Sequence, residues 1–172
     1  MVSRIYLIGL MGAGKSTVGK LLAEKLGWTF IDLDDEIEAS SGMTIAEIFQ
    51  ESGENTFRGL ESAALLNTAS MKEKIIACGG GIVTRAENIE FLKRANTVWL
   101  VLSPEEAAHR LEYATDRPLL NECTDTLKKL GNILDTRQAA YEEAASIQVQ
   151  SEGSSPNLIA EQVIMKLEIP HV

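Results

Sequence analysis

The chain has 172 residues, 45% of them hydrophobic and 24% charged, the balance of an ordinary soluble globular protein, and its length suits one domain with a sizeable core. The formal net charge of −9 argues against nonspecific binding to nucleic acid or an anionic membrane, and no apolar stretch approaches the length of a membrane span. Two cysteines, Cys78 and Cys123, give neither a disulfide framework nor metal-ligand spacing, which fits thiols in a reducing cytoplasm.

The first expected element is a buried parallel strand over Ser3–Gly9. The apolar stretch Ile5–Met11 is short and lacks a following cleavage site, so it is not read as a secretory leader. It runs into Gly9-Leu-Met-Gly-Ala-Gly-Lys-Ser16, which fits the phosphate-binding P-loop pattern. The glycines allow backbone N–H groups to turn toward phosphate oxygens. Lys15 can reach the β- and γ-phosphates, and the Ser16 hydroxyl can ligate Mg²⁺. Val18, Leu21, Leu22 and Leu26 follow with helical spacing, so strand, glycine loop and helix stand in the order the motif requires.

A second strand is expected over Thr29–Asp32, ending in Asp32-Leu-Asp-Asp35. No carboxylate ends the third or fourth strand, so the metal-side acid is assigned to Asp32, direct or through water. Asp34, two residues on, can orient a hydroxyl of the phosphoryl acceptor and take its proton. The alternative is that both are helix-capping acids. Asp35 and Glu36 are expected to face solvent or the helix start. Thr44-Ile-Ala-Glu47 fits a capping box. Arg58 follows Phe57 at the start of an apolar-periodic helix, with Glu61 three residues on.

The third strand, Lys74–Cys78, runs into Gly79-Gly80-Gly81, whose bare backbone can approach a ligand closely or simply make a tight strand exit. Thr84-Arg-Ala-Glu87 again fits a capping box. The fourth strand, Thr97–Ser103, leads into Ser103-Pro-Glu-Glu106, an N-cap followed by proline and first-turn acids. Thr115-Asp-Arg117-Pro-Leu-Leu120 reads as a mobile connection, and a lid carrying Arg can close over a transferring phosphoryl group. A long helix is expected over Asp125–Ala145 with a break near Gly131, carrying Arg137 and then Tyr141. A fifth strand over Ile147–Gln150 and a last helix over Asn157–Leu167 complete the chain. An arginine fork can hold a carboxylate, although either Arg58 or Arg137 alone also suits an ordinary surface.

Strands alternating with helices predict an α/β fold with a mostly parallel sheet. The P-loop, the Asp-rich segment and the glycine triplet each follow a strand, so they should converge at the carboxyl edge of that sheet.

Assembled in order, these segments resemble the shikimate kinase family over nearly the full length. The carrying residues are Gly9–Thr17, Asp32/Asp34, Phe57-Arg58-Gly-Leu-Glu61, Gly79–Gly81, Arg117–Leu120 and Arg137/Tyr141. The resemblance implies a P-loop kinase fold, a five-stranded parallel sheet in the order 2-3-1-4-5 with helices on both faces and a mobile lid. It implies one domain, 1–172, with an acceptor-binding segment at about 33–61 and a lid at about 112–124.

It further implies transfer of phosphate from ATP to the 3-hydroxyl of shikimate, with Mg²⁺ as cofactor. Arg58, Arg137 and Gly79–Gly81 would hold the shikimate carboxylate, and Asp34 the ring hydroxyls. Lys15, Asp34 and Arg117 would be the catalytic residues. ATP would lie on Gly12, Ala13, Gly14, Lys15, Ser16 and Thr17, with Arg117 reaching the phosphates and Arg110 and Pro156 at adenine. Ser16 and Asp32 would hold the metal. A cytoplasmic monomer with no membrane or nucleic-acid partner is expected. Two positions depart from the pattern: Cys78 stands where a small hydroxyl residue is expected, and Leu33 where serine is common. The competing functions are a related small-metabolite kinase, acting on gluconate or a nucleoside monophosphate, and a non-catalytic nucleotide switch. Against the second, the chain has no Asn-Lys-x-Asp guanine motif and retains every residue that phosphoryl transfer needs.

Overall fold

The structure is a computed structural model and describes residues 2–112 and 126–169. The sheet has five parallel strands: β1 (Arg4–Ile8), β2 (Thr29–Asp32), β3 (Lys74–Ala77), β4 (Thr97–Val101) and β5 (Ile147–Gln150). Their order is β2-β3-β1-β4-β5, as the resemblance implied. Ile5 pairs with Ile75, Leu7 with Val98 and Val101 with Gln150.

The alternation of β1 explains why its whole run is apolar. Side chains along a strand point to opposite faces in turn, and both faces of this sheet are covered. Ile5 and Leu7 enter a core with α1 (Lys15–Leu26) and α7 (Pro156–Lys166), including Leu22 and Val163. Tyr6 and Ile8 enter the opposite core with Leu65, Trp99 and Tyr141. Those three come from α3 (Ile45–Asn67), β4 and α6 (Thr126–Ala144). A smaller cluster of Ile37, Ile48 and Phe57 joins α2 (Leu33–Ser41) to α3.

The expected caps meet different fates. Thr44 and Glu47 form the reciprocal capping box of α3, and the backbone hydrogen bond from Thr44 holds the Glu47 carboxyl below its ordinary pKa. Ser103 accepts from the Glu106 N–H at 3.2 Å and starts α5 (Pro104–Glu112). The Thr84 box does not form. Thr84 lies in a 3₁₀ turn, Ile82–Thr84, and its hydroxyl donates to the Gly81 carbonyl at 2.8 Å. With that hydroxyl engaged, α4 (Ala86–Lys93) begins after Arg85 without a side-chain cap.

The break expected near Gly131 is also absent. The helix α6 runs unbroken from Thr126 to Ala144, since an isolated helical glycine costs only about 1 kcal/mol against alanine. The kink falls instead in α3, at Gly53, whose φ of 80° and ψ of 166° are not helical. Arg58 therefore lies near the start of the helical segment that follows the kink. The strands β1, β3 and β4 also stop one or two residues earlier than expected, as the chain turns into the P-loop, the glycine triplet and the Ser103 cap. Arg117, Cys123 and the expected lid beyond Glu112 lie outside the described residues.

Candidate active site

At the carboxyl edge of the sheet, β1 passes through the P-loop into α1. Gly12 and Gly14 have φ of 82° and 85°, a left-handed backbone that glycine adopts without strain. Gly14 is the N-cap of α1, so the helix presents its free N–H groups and positive dipole end to the adjoining cavity. Lys15 Nζ donates to the Gly9 carbonyl at 2.9 Å and the Leu10 carbonyl at 3.0 Å, lying along the loop rather than in the core.

Ser16 Oγ donates to Asp32 Oδ2 at 2.7 Å. The other Asp32 oxygen, Oδ1, accepts from the Asp34 N–H at 3.2 Å and caps α2. Asp32 therefore fills one of the two roles weighed from the sequence, the helix cap, and its other oxygen meets the P-loop serine. A serine hydroxyl beside a carboxylate is a hard oxygen pair that suits Mg²⁺. No cluster of three or more His, Cys, Asp or Glu side chains poised for a metal occurs among the described residues. Asp35 and Glu36 are exposed, as expected.

The opposite end is built from side chains of distant segments. Arg58 Nη1 donates to Glu61 Oε2 at 2.8 Å, and Arg58 Nη2 donates to Glu54 Oε1 at 3.0 Å. Glu61 is only 1% exposed. Burial raises its carboxyl pKa; Arg58 opposes that shift, while the nearby Asp34 charge adds to it. Burial would lower the Arg58 pKa, but Glu61 and Glu54 outweigh it and raise it.

The glycine triplet makes this packing possible. A Cβ on Gly79 would lie 2.6 Å from Glu61 Oε1 and 3.0 Å from Asp34 Oδ1. One on Gly81 would lie 2.0 Å from Arg58 Nη1. The triplet is thus a close-approach surface. It is also a tight exit, closed by the Ile82 N–H donating to the Gly79 carbonyl at 3.1 Å. The Gly80 carbonyl accepts from Arg137 Nη1 at 3.0 Å and from the Tyr141 hydroxyl. Burial pushes the Tyr141 pKa up to about 12, so that hydroxyl keeps its proton as a donor. Burial likewise raises the Cys78 thiol pKa, leaving a small neutral side chain where a hydroxyl was expected.

A third group borders the P-loop. Arg110 Nε donates to Glu106 Oε1 at 2.8 Å, and its remaining nitrogens reach the Gly12 carbonyl and Ser151. Pro156, at the first position of α7, also lines the cavity.

All three groups face one cavity of about 800 Å³. Its lining includes each candidate residue within the described segments: the P-loop set, Asp32, Asp34, Arg58, Gly79, Gly80, Gly81, Arg110, Arg137 and Pro156. In a chain of net charge −9, Lys15, Arg58, Arg110, Lys129 and Arg137 gather there. Sequence reasoning assigned no role to Lys129, Glu54, Ser151 or the apolar wall of Ile45, Phe49 and Phe57. Phe49 and Phe57 pack with ring centroids 4.8 Å apart. Glu61 and Tyr141 were visible as motif members, and their places beside Arg58 and Gly80 follow from the fold. For Ser151 the available signal was strand parity: Val149 points inward, so position 151 should too.

The chain as a whole is similar to known proteins. A family model for shikimate kinase matches residues 11–168. A shikimate kinase of Thermodesulfovibrio yellowstonii is 38% identical over 168 residues, covering 97% of this chain and 96% of the relative. One of Persephonella marina is 40% identical over 164 residues, covering 95% and 98%. The solved structure of the shikimate kinase from Acinetobacter baumannii in complex with shikimate superposes with a TM-score of 0.92 at 38% identity, over 98% of this chain and 94% of that one. With family, sequence and backbone agreeing over nearly the whole length, the chain belongs to the shikimate kinase family.

Proposed function

We propose that this chain transfers the γ-phosphoryl group of ATP to the 3-hydroxyl of shikimate, with the division of labour that follows. The observation that carries it is the single cavity, with a helix N-terminus and Lys15 at one end and Arg58, Arg137 and the glycine triplet at the other. A triphosphate suits the first end and a carboxylate on a small polar ring suits the second. The likeness to a shikimate kinase solved with shikimate supports the choice of acceptor.

The backbone of Gly12, Ala13 and Gly14 cradles phosphate oxygens, with Ser16 and Thr17 closing the cradle at the start of α1. Lys15 neutralises charge shared by the β- and γ-phosphates. Arg110 and Pro156 border the adenine. Arg58 and Arg137 grip the acceptor carboxylate beside Gly79, Gly80 and Gly81. Asp34 orients the 3-hydroxyl and takes its proton as the oxygen attacks the γ-phosphorus. The bond from that phosphorus to the β–γ bridging oxygen breaks, and ADP leaves with the electron pair. Arg117, outside the described residues, is assigned to the transferring phosphoryl group. Ser16 and Asp32 would hold Mg²⁺. When bound, the ion offsets the negative charge of the β- and γ-phosphate oxygens. We place the chain in the cytoplasm as a monomer, without membrane or nucleic-acid partners. Among the described residues no helix is long and apolar enough to cross a membrane.

The experiment is ADP formation with Mg-ATP and, in turn, shikimate, gluconate and a nucleoside monophosphate, with and without chelator. Turnover should be fastest with shikimate and vanish with chelator. Faster turnover of another acceptor would overturn the choice of substrate, and undiminished turnover in chelator would overturn the metal.

A further inference from the structure

Ser151 follows β5 at an inward position. Along that strand Val149 is buried while Gln148 and Gln150 are exposed, so parity predicts an apolar residue at 151. A serine stands there instead, with 0% exposure. A hydroxyl in such a place must find partners, and each partner belongs to the nucleotide end of the cavity. Ser151 Oγ donates to the P-loop carbonyl of Ala13 at 2.8 Å. The same oxygen accepts from Arg110 Nη1 at 3.1 Å, and the Ser151 carbonyl accepts from Arg110 Nη2 at 2.9 Å. The Ser151 N–H donates to the Val101 carbonyl at 2.8 Å, which fixes the residue to the edge of the sheet.

We infer that Ser151 is a positioning residue for nucleotide binding, holding the P-loop at Ala13 and the guanidinium plane of Arg110 in one register. Three features support this. Arg110 Nη1 also reaches the Gly12 carbonyl at 3.3 Å, so Ser151, Arg110 and the P-loop close a ring of hydrogen bonds. Glu106 takes Arg110 Nε at 2.8 Å, fixing the guanidinium from its other side. A planar cation held in this way can lie against a base, and a P-loop held in this way keeps its N–H groups aimed at phosphate. Prior alignment of both elements lowers the ordering cost that nucleotide binding would otherwise meet.

This inference rests on the reading of the P-loop end as the ATP site. The test is calorimetric titration of ATP and, separately, of shikimate into the wild type, Ser151→Ala and Ser151→Thr, each first shown folded by thermal melting. Wild-type binding of ATP tests the underlying reading, and the variants test Ser151. Ser151→Ala should weaken ATP by about tenfold, the loss of one hydrogen bond to a charged group, while shikimate stays within about twofold. Ser151→Thr, which keeps the hydroxyl, should recover most of the ATP affinity. A double variant with Arg110→Lys, which does not depend on the threonine fitting, should lose less than the product of the two single losses, because the two residues act together. Ser151→Ala with wild-type ATP affinity and a lowered melting temperature would reduce Ser151 to packing and overturn the inference. So would an equal loss for both ligands, a threonine variant that folds but binds like alanine, or fully multiplicative losses in the double variant.

Discussion

The two ends of the cavity, proposed to take the phosphates and the acceptor, are built on different principles. The phosphate end comes from one contiguous stretch, Gly9–Thr17, whose backbone turns from strand to helix. Its chemistry lies in N–H groups and a helix dipole, with Lys15 laid along its own loop. The acceptor end is assembled from α2, α3, α6 and the turn after β3, and its chemistry lies in side chains held by other side chains. Arg58 is clamped by Glu61 and Glu54, and two carboxylates and a guanidinium lie so close to Gly79 and Gly81 that a Cβ there would have to displace them. A backbone site is specified locally, whereas a side-chain site exists only after the fold has closed. Changes at the first end should therefore cost turnover with little effect on the acceptor, and changes at the second should report on acceptor binding and on pH.

The largest effect expected is at Asp34, where the two ends meet. Asp34→Asn keeps the shape and removes the charge, and kcat should fall by about 10²–10⁴-fold if Asp34 accepts the hydroxyl proton. Orientation alone would leave Asn within a few-fold of wild type while Ala falls much further. Steady-state kinetics of both variants decides between these roles.

Next is Lys15. Lys15→Met should lower kcat by about 10²–10³-fold, the usual loss for one preorganised charge at a developing phosphoryl centre. Its melting temperature should stay near the wild-type value, because the side chain lines the cavity and not the core. Near-normal turnover in the folded variant would remove Lys15 from the phosphate clamp.

A smaller effect belongs to the acceptor end. Burial raises the Glu61 pKa above its ordinary value of 4.5. Between the two values the folded chain keeps a proton that the unfolded chain has released. The contribution to stability is complete below the unfolded value and is lost as pH rises through the folded one. Urea midpoints of the wild type should therefore carry a downward slope from pH 4.5 upward that Glu61→Gln lacks. Parallel profiles for the two proteins would assign that titration elsewhere.

This contrast also explains what could be read from the chain. The P-loop was legible because its signal is local, and the five strands were legible as short stretches between helical segments, three of them running into a chemically marked turn. Their order was not contained in periodicity and came from the family resemblance. At the acceptor end the residue types were visible, but not the reason for their spacing. Nothing near Gly81 in sequence says that a side chain there would have to displace Arg58, which lies across it. Local signals misled in two places. Thr84 had the right neighbours for a cap, but its hydroxyl was taken by Gly81, and Gly131 stayed helical while Gly53 kinked. A competing local hydrogen bond within the 3₁₀ turn decided the first of these. For the choice of Gly53 over Gly131 the contacts around the two residues give no account.

The most direct test of the division between the ends is paired calorimetric titration of shikimate and ATP into wild type and Arg137→Lys. Lysine keeps the charge at this position but not the planar fork. The account predicts that shikimate binds about 10- to 150-fold more weakly, the loss of one charged hydrogen bond, while ATP affinity is nearly unchanged. An equal loss for both ligands, or a loss confined to ATP, would contradict it.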